Sequence, residues 1–205
     1  MLCYGRHTNL ELLVHYGFVL PPGANLHDVA LLPLHVLPPT LLQQLKAGGA
    51  TASSEAYVFE SGAPSWALLR AARLAGASAE ERREGAHLAL DDRPISEGSE
   101  RAAMHSLRDA CVAALASFPT SVEEDEALLL GLQPEEQLSE CGRVAVQWRL
   151  GQKMTLQRGV QLAERMLAVL EWRQQRGVQQ QGVQQSARQP AAAGLAALVL
   201  PPKLT

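Results

Sequence analysis

The sequence CYGRHTNLELLVHYGF, residues 3–18, opens the chain and decides how the rest of it is interpreted. Two of the three tyrosines, Tyr4 and Tyr16, lie in this stretch, and each is followed directly by a glycine. A Tyr-Gly pair can place a phenol where the backbone turns or approaches another group closely, because glycine tolerates positive φ and has no Cβ. Between the two pairs the pattern predicts a short amphipathic helix, with Asn9 as its N-cap and Gly17 as its terminator.

The composition is that of a globular chain with a mainly helical core. Of the 205 residues, 47% are apolar and 19% are charged, while only 4% are aromatic. The core is therefore expected to rest on Leu, Ala and Val, which favours helix packing over a β-sandwich. The length allows one domain, or one domain with a remnant and a tail. A net charge of −3 argues against a general nucleic-acid binder.

The cysteines and histidines indicate neither a metal centre nor a disulfide framework. The three cysteines, Cys3, Cys111 and Cys141, are widely spaced, and the six histidines are dispersed, so no metal site is predicted. No apolar run is long enough for a membrane span, and the N-terminus lacks the pattern of a signal peptide. We expect a soluble intracellular protein, and the sequence leaves open its compartment (cytoplasm, nucleus or plastid) and its oligomeric state.

Proline and glycine breaks divide the first part of the chain into short elements. The patterns predict a strand at 29–34, a helix at 41–47, a loop at 50–55 and a strand at 56–60. In the second strand Tyr57 and Phe59 share a face, because side chains alternate at period two. Ser65 is placed to cap a helix over residues 66–76.

The second part of the chain is predicted to consist of longer helices. Residues 77–98 are charged and poorly periodic, which indicates a solvated helix face and a loop. A long helix follows as far as Phe118, and a capping box at Thr120–Glu123 starts the next helix. Pro134 is expected to open the last long helix, which continues to Arg173.

The motifs of the opening stretch resemble, in their order, the end of the SET domain in the lysine methyltransferases related to the plant Rubisco large-subunit methyltransferase. In that family a strand ending in a Tyr leads through an Asn-x-Glu-Leu helix to a Tyr-Gly-Phe. The matching positions here are Tyr4, Asn9–Leu12 and Tyr16–Phe18. Residues Asn25–Asp28 look like the Asn-Pro-His-Asp that often follows, with Leu26 in place of Pro.

Three later segments resemble the helical substrate-binding domain that follows SET in the same family. Residues 62–74 are similar to its opening helix. Residues 118–129 match a Phe-x-Thr-Thr motif followed by acidic residues, with Ser121 in place of the second Thr. Arg149 and Lys153 resemble an Arg-x-x-x-Lys of its final helices, although a solvated basic face is favoured over a substrate contact as the interpretation of these side chains.

The resemblance implies a mainly α fold, in which a helical substrate-binding domain is preceded by the short α+β C-terminal edge of a SET domain. We expect the SET remnant at 1–60 and the helical domain of Rubisco LSMT type at 61–171. A disordered Gln-rich tail is predicted at 172–205, where a repeated Gly-Val-Gln-Gln has too little apolar content for a core.

The resemblance also implies a chemistry. Methyl transfer from S-adenosylmethionine to a lysine amine is an in-line displacement that needs a narrow, dry channel. Aromatic rings can form the walls of such a channel, and phenol hydroxyls can orient the amine. By resemblance, Tyr4 is the catalytic channel tyrosine and Tyr16 binds the substrate lysine. Tyr16, Gly17 and Phe18 are expected to lie beside the cofactor.

The first functional hypothesis is therefore part of a protein-lysine N-methyltransferase that uses S-adenosylmethionine and docks a protein substrate on its helical domain. The family's upstream cofactor motifs do not occur before Tyr4 in this sequence, so the donor pocket is incomplete and this chain alone is expected to be inactive. The alternative is a non-catalytic protein-binding module left from a truncated methyltransferase. A third hypothesis is a helical structural domain in which the order of the tyrosines is coincidence. The expected partner is a protein, rather than a nucleic acid or a membrane, and its identity and acceptor residue are left open.

Overall fold

The computed structural model describes residues 5–48, 55–132 and 138–188, with side chains described as far as residue 176. Tyr4, Pro134 and most of the predicted loop at 50–55 lie outside the described residues. The chain divides into two compact units, residues 1–168 and residues 169–205. The domain boundaries expected after residues 60 and 171 stay predictions.

The first unit begins with short elements that include one antiparallel strand pair. In chain order they are helix α1 (Asn9–Tyr16), strand β1 (Val29–Leu31), a 3₁₀ turn (Leu34–Val36), helix α2 (Pro39–Ala47) and strand β2 (Tyr57–Phe59). The strands pair with Ala30 opposite Val58, and both of these side chains are buried. On β2 the rings of Tyr57 and Phe59 meet edge to face, with centroids 5.2 Å apart, as the period-two alternation predicted.

Longer helices follow, as the sequence predicted. They are α3 (Trp66–Gly76), α4 (Ala79–Leu90), α5 (Glu97–Ala116), α6 (Val122–Leu129) and α7 (Glu140–Arg188). The Ser65 hydroxyl accepts a hydrogen bond from the Leu68 N–H and so caps α3 as expected. α3 packs against α2, α4 and α5. The mainly α fold class is thereby confirmed.

Leucine and alanine side chains dominate the core of the first unit. On α5 a buried stripe at helical spacing faces inward: Ala103, Leu107, Ala110 and Ala114. Small residues let α3 and α5 approach closely, since a Cβ added at Gly76 would lie only 2.8 Å from the Cβ of Ala102. The sparse aromatic content of the sequence is therefore matched by a close-packed helical interior.

Polar contacts also join the strand pair to α7 inside the first unit. The Gln152 side chain donates to the carbonyl of Val29 at 2.9 Å. The Arg158 guanidinium pairs with the Glu60 carboxylate and donates to the Glu60 carbonyl at 3.1 Å. The elements before and after residue 60 are thus attached to one another through α7.

The last helix differs from its prediction at both ends. It begins at Glu140 rather than Pro134, and it continues to Arg188 rather than ending near Arg173. Residues 172–188, for which disorder was predicted, are helical. Gln and Arg are good helix formers, and extending an existing helix avoids the cost of nucleating a new one. Low apolar content excludes a core there, but it does not exclude a helix.

Two further properties concern only the part of the chain that the structure describes. No helix in it is both long enough and apolar enough to cross a membrane. Within the same ranges, no cluster of three or more His, Cys, Asp or Glu side chains is placed to hold a metal ion.

Candidate functional site

The start of α1 is set by Thr8 rather than by Asn9. The Thr8 hydroxyl accepts from the Glu11 N–H at 3.2 Å, and the Glu11 carboxylate accepts from the Thr8 N–H at 2.7 Å, which forms a capping box. The prediction of Asn9 as the N-cap was wrong, because its side chain is buried and makes other hydrogen bonds. Gly17 ends the helix as predicted, with φ 75° in the left-handed region and its N–H donated to the Leu13 carbonyl at 3.1 Å.

The Asn9 side chain connects α1 to the loop that follows it. Its Nδ2 donates to the Leu20 carbonyl at 3.1 Å, and its Oδ1 accepts from the Leu20 N–H at 3.2 Å. Asn25 Nδ2 donates to Asn9 Oδ1 and to the His7 carbonyl, both at 3.0 Å. The Asn9 N–H donates to Asp28 Oδ1 at 2.9 Å. These bonds fix the position of α1 relative to residues 20–28.

Asp28 is the charged member of this buried group. Burial raises the pKa of its carboxyl above the usual range, although hydrogen bonds from the backbone of Asn9 and Val29 oppose the shift. The segment Asn25–Asp28, which resembles the family's Asn-Pro-His-Asp, thus has a structural explanation in this chain: its Asn25 and Asp28 side chains hold the start of α1.

At the other end of α1, the predicted residues Tyr16, Gly17 and Phe18 come together. The Tyr16 side chain is half exposed. Its ring centroid lies 6.3 Å from that of Phe18 and 6.2 Å from that of His7. The left-handed backbone at Gly17 turns the chain between the two aromatic rings. Tyr4, the predicted catalytic residue, lies outside the described residues.

This aromatic group has properties that suit a substrate amine and a methyl donor. Ring faces attract cationic groups, and a phenol hydroxyl can donate or accept a hydrogen bond. A Cβ added at Gly17 would meet no described atom within 4 Å, so space is open beside this part of the backbone. The residues therefore fit the predicted cofactor contact, and their individual roles stay predictions.

A second polar constellation surrounds Asp125 on α6, whose side chain is fully buried. Lys153 Nζ donates to Asp125 Oδ2 at 2.7 Å and to Thr120 Oγ1 at 2.9 Å. Thr120 Oγ1 donates in turn to Asp125 Oδ1 at 2.8 Å. Arg149 completes the group: its Nε and Nη2 form a bidentate ion pair with the same carboxylate. One carboxylate on α6 thus binds two cations from α7.

Two predictions about this region were wrong. Arg149 and Lys153 do not form a solvated basic face, since the Lys153 side chain is only 2% exposed and both cations point to Asp125. The N-cap of α6 is Ser121, paired with Glu124, rather than Thr120 paired with Glu123. The cap is shifted by one residue because the Thr120 hydroxyl is occupied by Asp125 and Lys153.

Both halves of this constellation are visible in the sequence, but their connection is not. Residues 118–129 and the Arg149–Lys153 pair resemble two separate motifs of the family. The available signal was the i, i+4 spacing of Arg149 and Lys153, which places both on one face of a helix. That spacing does not identify the carboxylate opposite, and Asp125 is one of four consecutive acidic residues in the sequence, 123–126.

Comparisons with known proteins cover most of the described chain. The family described as Rubisco LSMT substrate-binding matches residues 30–156. Protein SET DOMAIN GROUP 40 of Arabidopsis thaliana is 35% identical over 130 residues, which are 63% of this chain and 25% of that protein. The chloroplastic [fructose-bisphosphate aldolase]-lysine N-methyltransferase of Arabidopsis thaliana is 38% identical over 93 residues, which are 44% of this chain and 18% of that protein.

Solved structures of Rubisco LSMT share the fold. The structure of Rubisco LSMT bound to AdoMet superposes with a TM-score of 0.53 at 25% identity, covering 80% of this chain and 40% of that one. The SET domain of LSMT bound to methyllysine and AdoHcy superposes with a TM-score of 0.52 at 23% identity, covering 82% and 40%. The chain thus spans about a quarter or less of the curated relatives, and two fifths of these solved chains.

Proposed function

The chain belongs to the Rubisco LSMT substrate-binding family, and on this premise we propose that it is part of a protein-lysine N-methyltransferase that uses S-adenosylmethionine. In this proposal the helical domain, predicted at 61–171, docks the protein substrate. Tyr4 and Tyr16 line the lysine channel, with Tyr4 as the catalytic tyrosine. Tyr16, Gly17 and Phe18 contact the methyl donor, which supplies an electrophilic methyl group when it is bound.

The observation that carries the proposal is the aromatic group at the end of α1. The ring centroids of Tyr16 and Phe18 lie 6.3 Å apart on either side of Gly17, where an added Cβ would meet no described atom within 4 Å. The hydrogen bonds between Asn9 and Leu20 fix the position of α1, and the Tyr16 phenol is carried by this helix. A half-exposed phenol held in this way can orient an amine for in-line attack.

The comparisons support a protein as the substrate. One relative is named for the methylation of lysine in fructose-bisphosphate aldolase, and the solved structures are of Rubisco LSMT. A folded protein substrate needs a broad docking surface, which an elongated helical domain can supply. Aldolase and the Rubisco large subunit are therefore the first two substrates to test.

A chimera tests this function directly. Residues 1–171 of this chain, which include Tyr4, Tyr16 and the predicted helical domain, replace the corresponding segment of Rubisco LSMT. Transfer of labelled methyl from S-adenosylmethionine to aldolase and to Rubisco is then measured. We expect methylation of one of the two proteins. Tyr16→Phe in the chimera should lower kcat by about 100-fold, because it removes the hydroxyl that orients the amine. Tyr57→Phe on β2 is the matched control and should leave kcat within about twofold.

The chimera also separates the proposal from its alternative. Equilibrium dialysis with labelled S-adenosylmethionine first establishes that the chimera is folded and binds the donor. A chimera that binds donor and protein but transfers no methyl group supports a non-catalytic binding module instead. Loss of protein binding as well as methyl transfer would overturn both.

A further inference from the structure

A cavity of about 370 Å³ lies in the first unit, away from the aromatic group at the end of α1. It is partly open to solvent and lies between β2, α3, α5 and α7, and its apolar walls are Phe59, Trp66, Leu69, Met104, Leu162 and Met166. This volume lies at the lower end of the range for small-molecule sites, and a single long side chain fits it. The walls alone would accept any apolar group, so the polar end of the cavity decides its selectivity.

That polar end is a group of three charged side chains. Arg73 donates from Nε and Nη2 to the Glu100 carboxylate, at 2.7 and 3.1 Å, and from Nη1 to Asp92 Oδ1 at 2.8 Å. The Arg73 and Glu100 side chains are 7% and 5% exposed, whereas the Asp92 side chain is 63% exposed. The three groups sum to one negative charge, and the accessible part of that charge is the Asp92 carboxylate.

The backbone at Asp92 is held in an uncommon conformation. Its φ of 55° is in the left-handed region, and it is the only non-glycine residue with positive φ in the described part of the chain. Its position directly after the C-cap of α4 accounts for this conformation, because helices commonly end with one left-handed residue, and the Arg93 N–H donates to the Leu88 carbonyl at 2.8 Å. Here the hydrogen bond from Arg73 keeps the carboxylate at the mouth of the cavity.

The aromatic wall is suited to a cation as well. Trp66 is half exposed, and the guanidinium of Arg70, which does not line the cavity, already lies 4.7 Å from its ring centroid. Indole is the aromatic ring that attracts cations most strongly. The long stems of Lys and Arg can lie along apolar walls while their charged ends stay near water.

We propose that this cavity binds a lysine or arginine side chain of the protein substrate, with the stem against Trp66 and Met166 and the cationic end at Asp92. This inference rests on the proposed function, since it takes the helical domain to dock a protein. It makes the cavity a specificity site that selects substrates with a basic residue at a fixed distance from the methylated one. The bound side chain is not itself the acceptor, because the cavity shares no residue with the predicted channel.

Methionine methyl groups provide a direct readout of this binding. Of the four methionines in the chain, Met104 and Met166 line the cavity and Met154 does not, so Met154 is an internal control. The full chain, labelled with ¹³C at the methionine methyls, is titrated with four peptides, acetyl-Ala-X-Ala-amide, in which X is Lys, Arg, norleucine or Glu. We expect the Lys and Arg peptides to shift Met104 and Met166 saturably, and to bind about fivefold tighter than norleucine. The Glu peptide should bind weakest.

Asp92→Asn tests the charge while keeping an oxygen that can accept from Arg73. It should abolish the advantage of Lys over norleucine and leave norleucine binding unchanged. Asp91→Asn is the matched control, because Asp91 is an exposed neighbour that does not line the cavity. In this variant the Lys peptide should still bind more tightly than the norleucine peptide. Equal binding of Lys, norleucine and Glu by the wild-type chain would overturn the inference, as would shifts that spread equally to Met154.

The result of the peptide titration does not depend on methyl transfer. If the chimera methylates its substrate while the cavity shows no preference for basic peptides, only the cavity inference fails. If the cavity selects basic peptides while the chimera transfers no methyl group, the methyltransferase proposal fails and a basic-side-chain site remains.

Discussion

Asp125 shows how one residue can hold two helices together. Its carboxylate is fully buried, which by itself is unfavourable, but Arg149, Lys153 and Thr120 satisfy both of its oxygens. A buried ion pair contributes little relative to a well-packed apolar pair, yet removing one partner is costly because the other charge stays buried. The group therefore makes α6 and α7 depend on each other.

We predict that Asp125→Asn lowers the free energy of unfolding by about 3 kcal/mol at pH 7, since it leaves Lys153 buried without a counter-charge. Urea denaturation followed by circular dichroism measures this change. Glu126→Gln is the matched control: it removes the charge of an exposed neighbour on the same helix and should change the free energy by less than about 0.5 kcal/mol.

The effect of Asp125→Asn on the free energy of unfolding should depend on pH, and the direction of this dependence follows from the pKa of Asp125. Burial would raise the pKa of Asp125, but hydrogen bonds from Arg149, Lys153 and Thr120 outweigh it and hold the pKa below the usual value of 3.8. The stabilisation is therefore fully present above pH 3.8 and is lost as the pH falls through the folded-state pKa. The difference between wild type and Asp125→Asn should shrink at pH 2.5, and a gap that stays constant with pH would contradict this account.

At the scale of elements, α1 depends on two adjacent polar residues with different tasks. Thr8 caps the helix, while Asn9 ties it to Leu20. We predict that Asn9→Ala speeds hydrogen exchange at the Leu20 amide by about tenfold or more, because that N–H loses its acceptor. Thr8→Ala, the matched control, should speed exchange at the Glu11 amide and leave Leu20 protected. Equal effects of both variants at both amides would mean that the loop and the helix open together.

The boundaries of the elements followed the local signals in the sequence where no distant donor competed for the capping oxygen. The Ser65 hydroxyl donates to the Glu55 carbonyl and still accepts from the Leu68 N–H, and α3 begins and ends where the sequence predicted. Where a distant donor bonded to the expected capping oxygen, the cap moved by one residue, as at Asn9, which accepts from Leu20, and at Thr120, which accepts from Lys153. Local pattern therefore identifies the position of a helix, and tertiary hydrogen bonds decide its first residue.

The same difference between local and long-range signals applies to the candidate site. Tyr16, Gly17 and Phe18 were singled out through the resemblance to the family's Tyr-Gly-Phe, and the sequence pattern by itself predicted only the turn at Gly17. Asp125 and Lys153 could not be paired from sequence, since they are 28 residues apart and no periodic pattern spans that distance. The cavity could not be predicted from the sequence either, because its walls come from four elements between residues 59 and 166.

For the first unit as a whole, α7 joins the strand pair to the helices. Gln152 and Arg158 contact Val29 and Glu60, and the turn after β2 lies against the same helix. The segment expected to be a SET remnant is thus attached to the helical domain by polar bonds and by close backbone packing. The two parts should unfold in one cooperative transition rather than separately.

The tightest of these contacts is at Gly62, and it yields the last prediction. A Cβ there would lie 2.5 Å from the Arg158 backbone carbonyl, and the residue has φ 84°, so an L side chain is excluded by both space and conformation. Gly62→Ala should lower the free energy of unfolding by about 3 kcal/mol in total. Gly151→Ala, on α7 and with no atom within 4 Å of the added Cβ, should instead raise the free energy of unfolding by up to about 1 kcal/mol. Thermal and urea unfolding measure both, and a single shifted transition in Gly62→Ala is expected. Two separate transitions would show that the strand pair and the helices are held together at this turn alone.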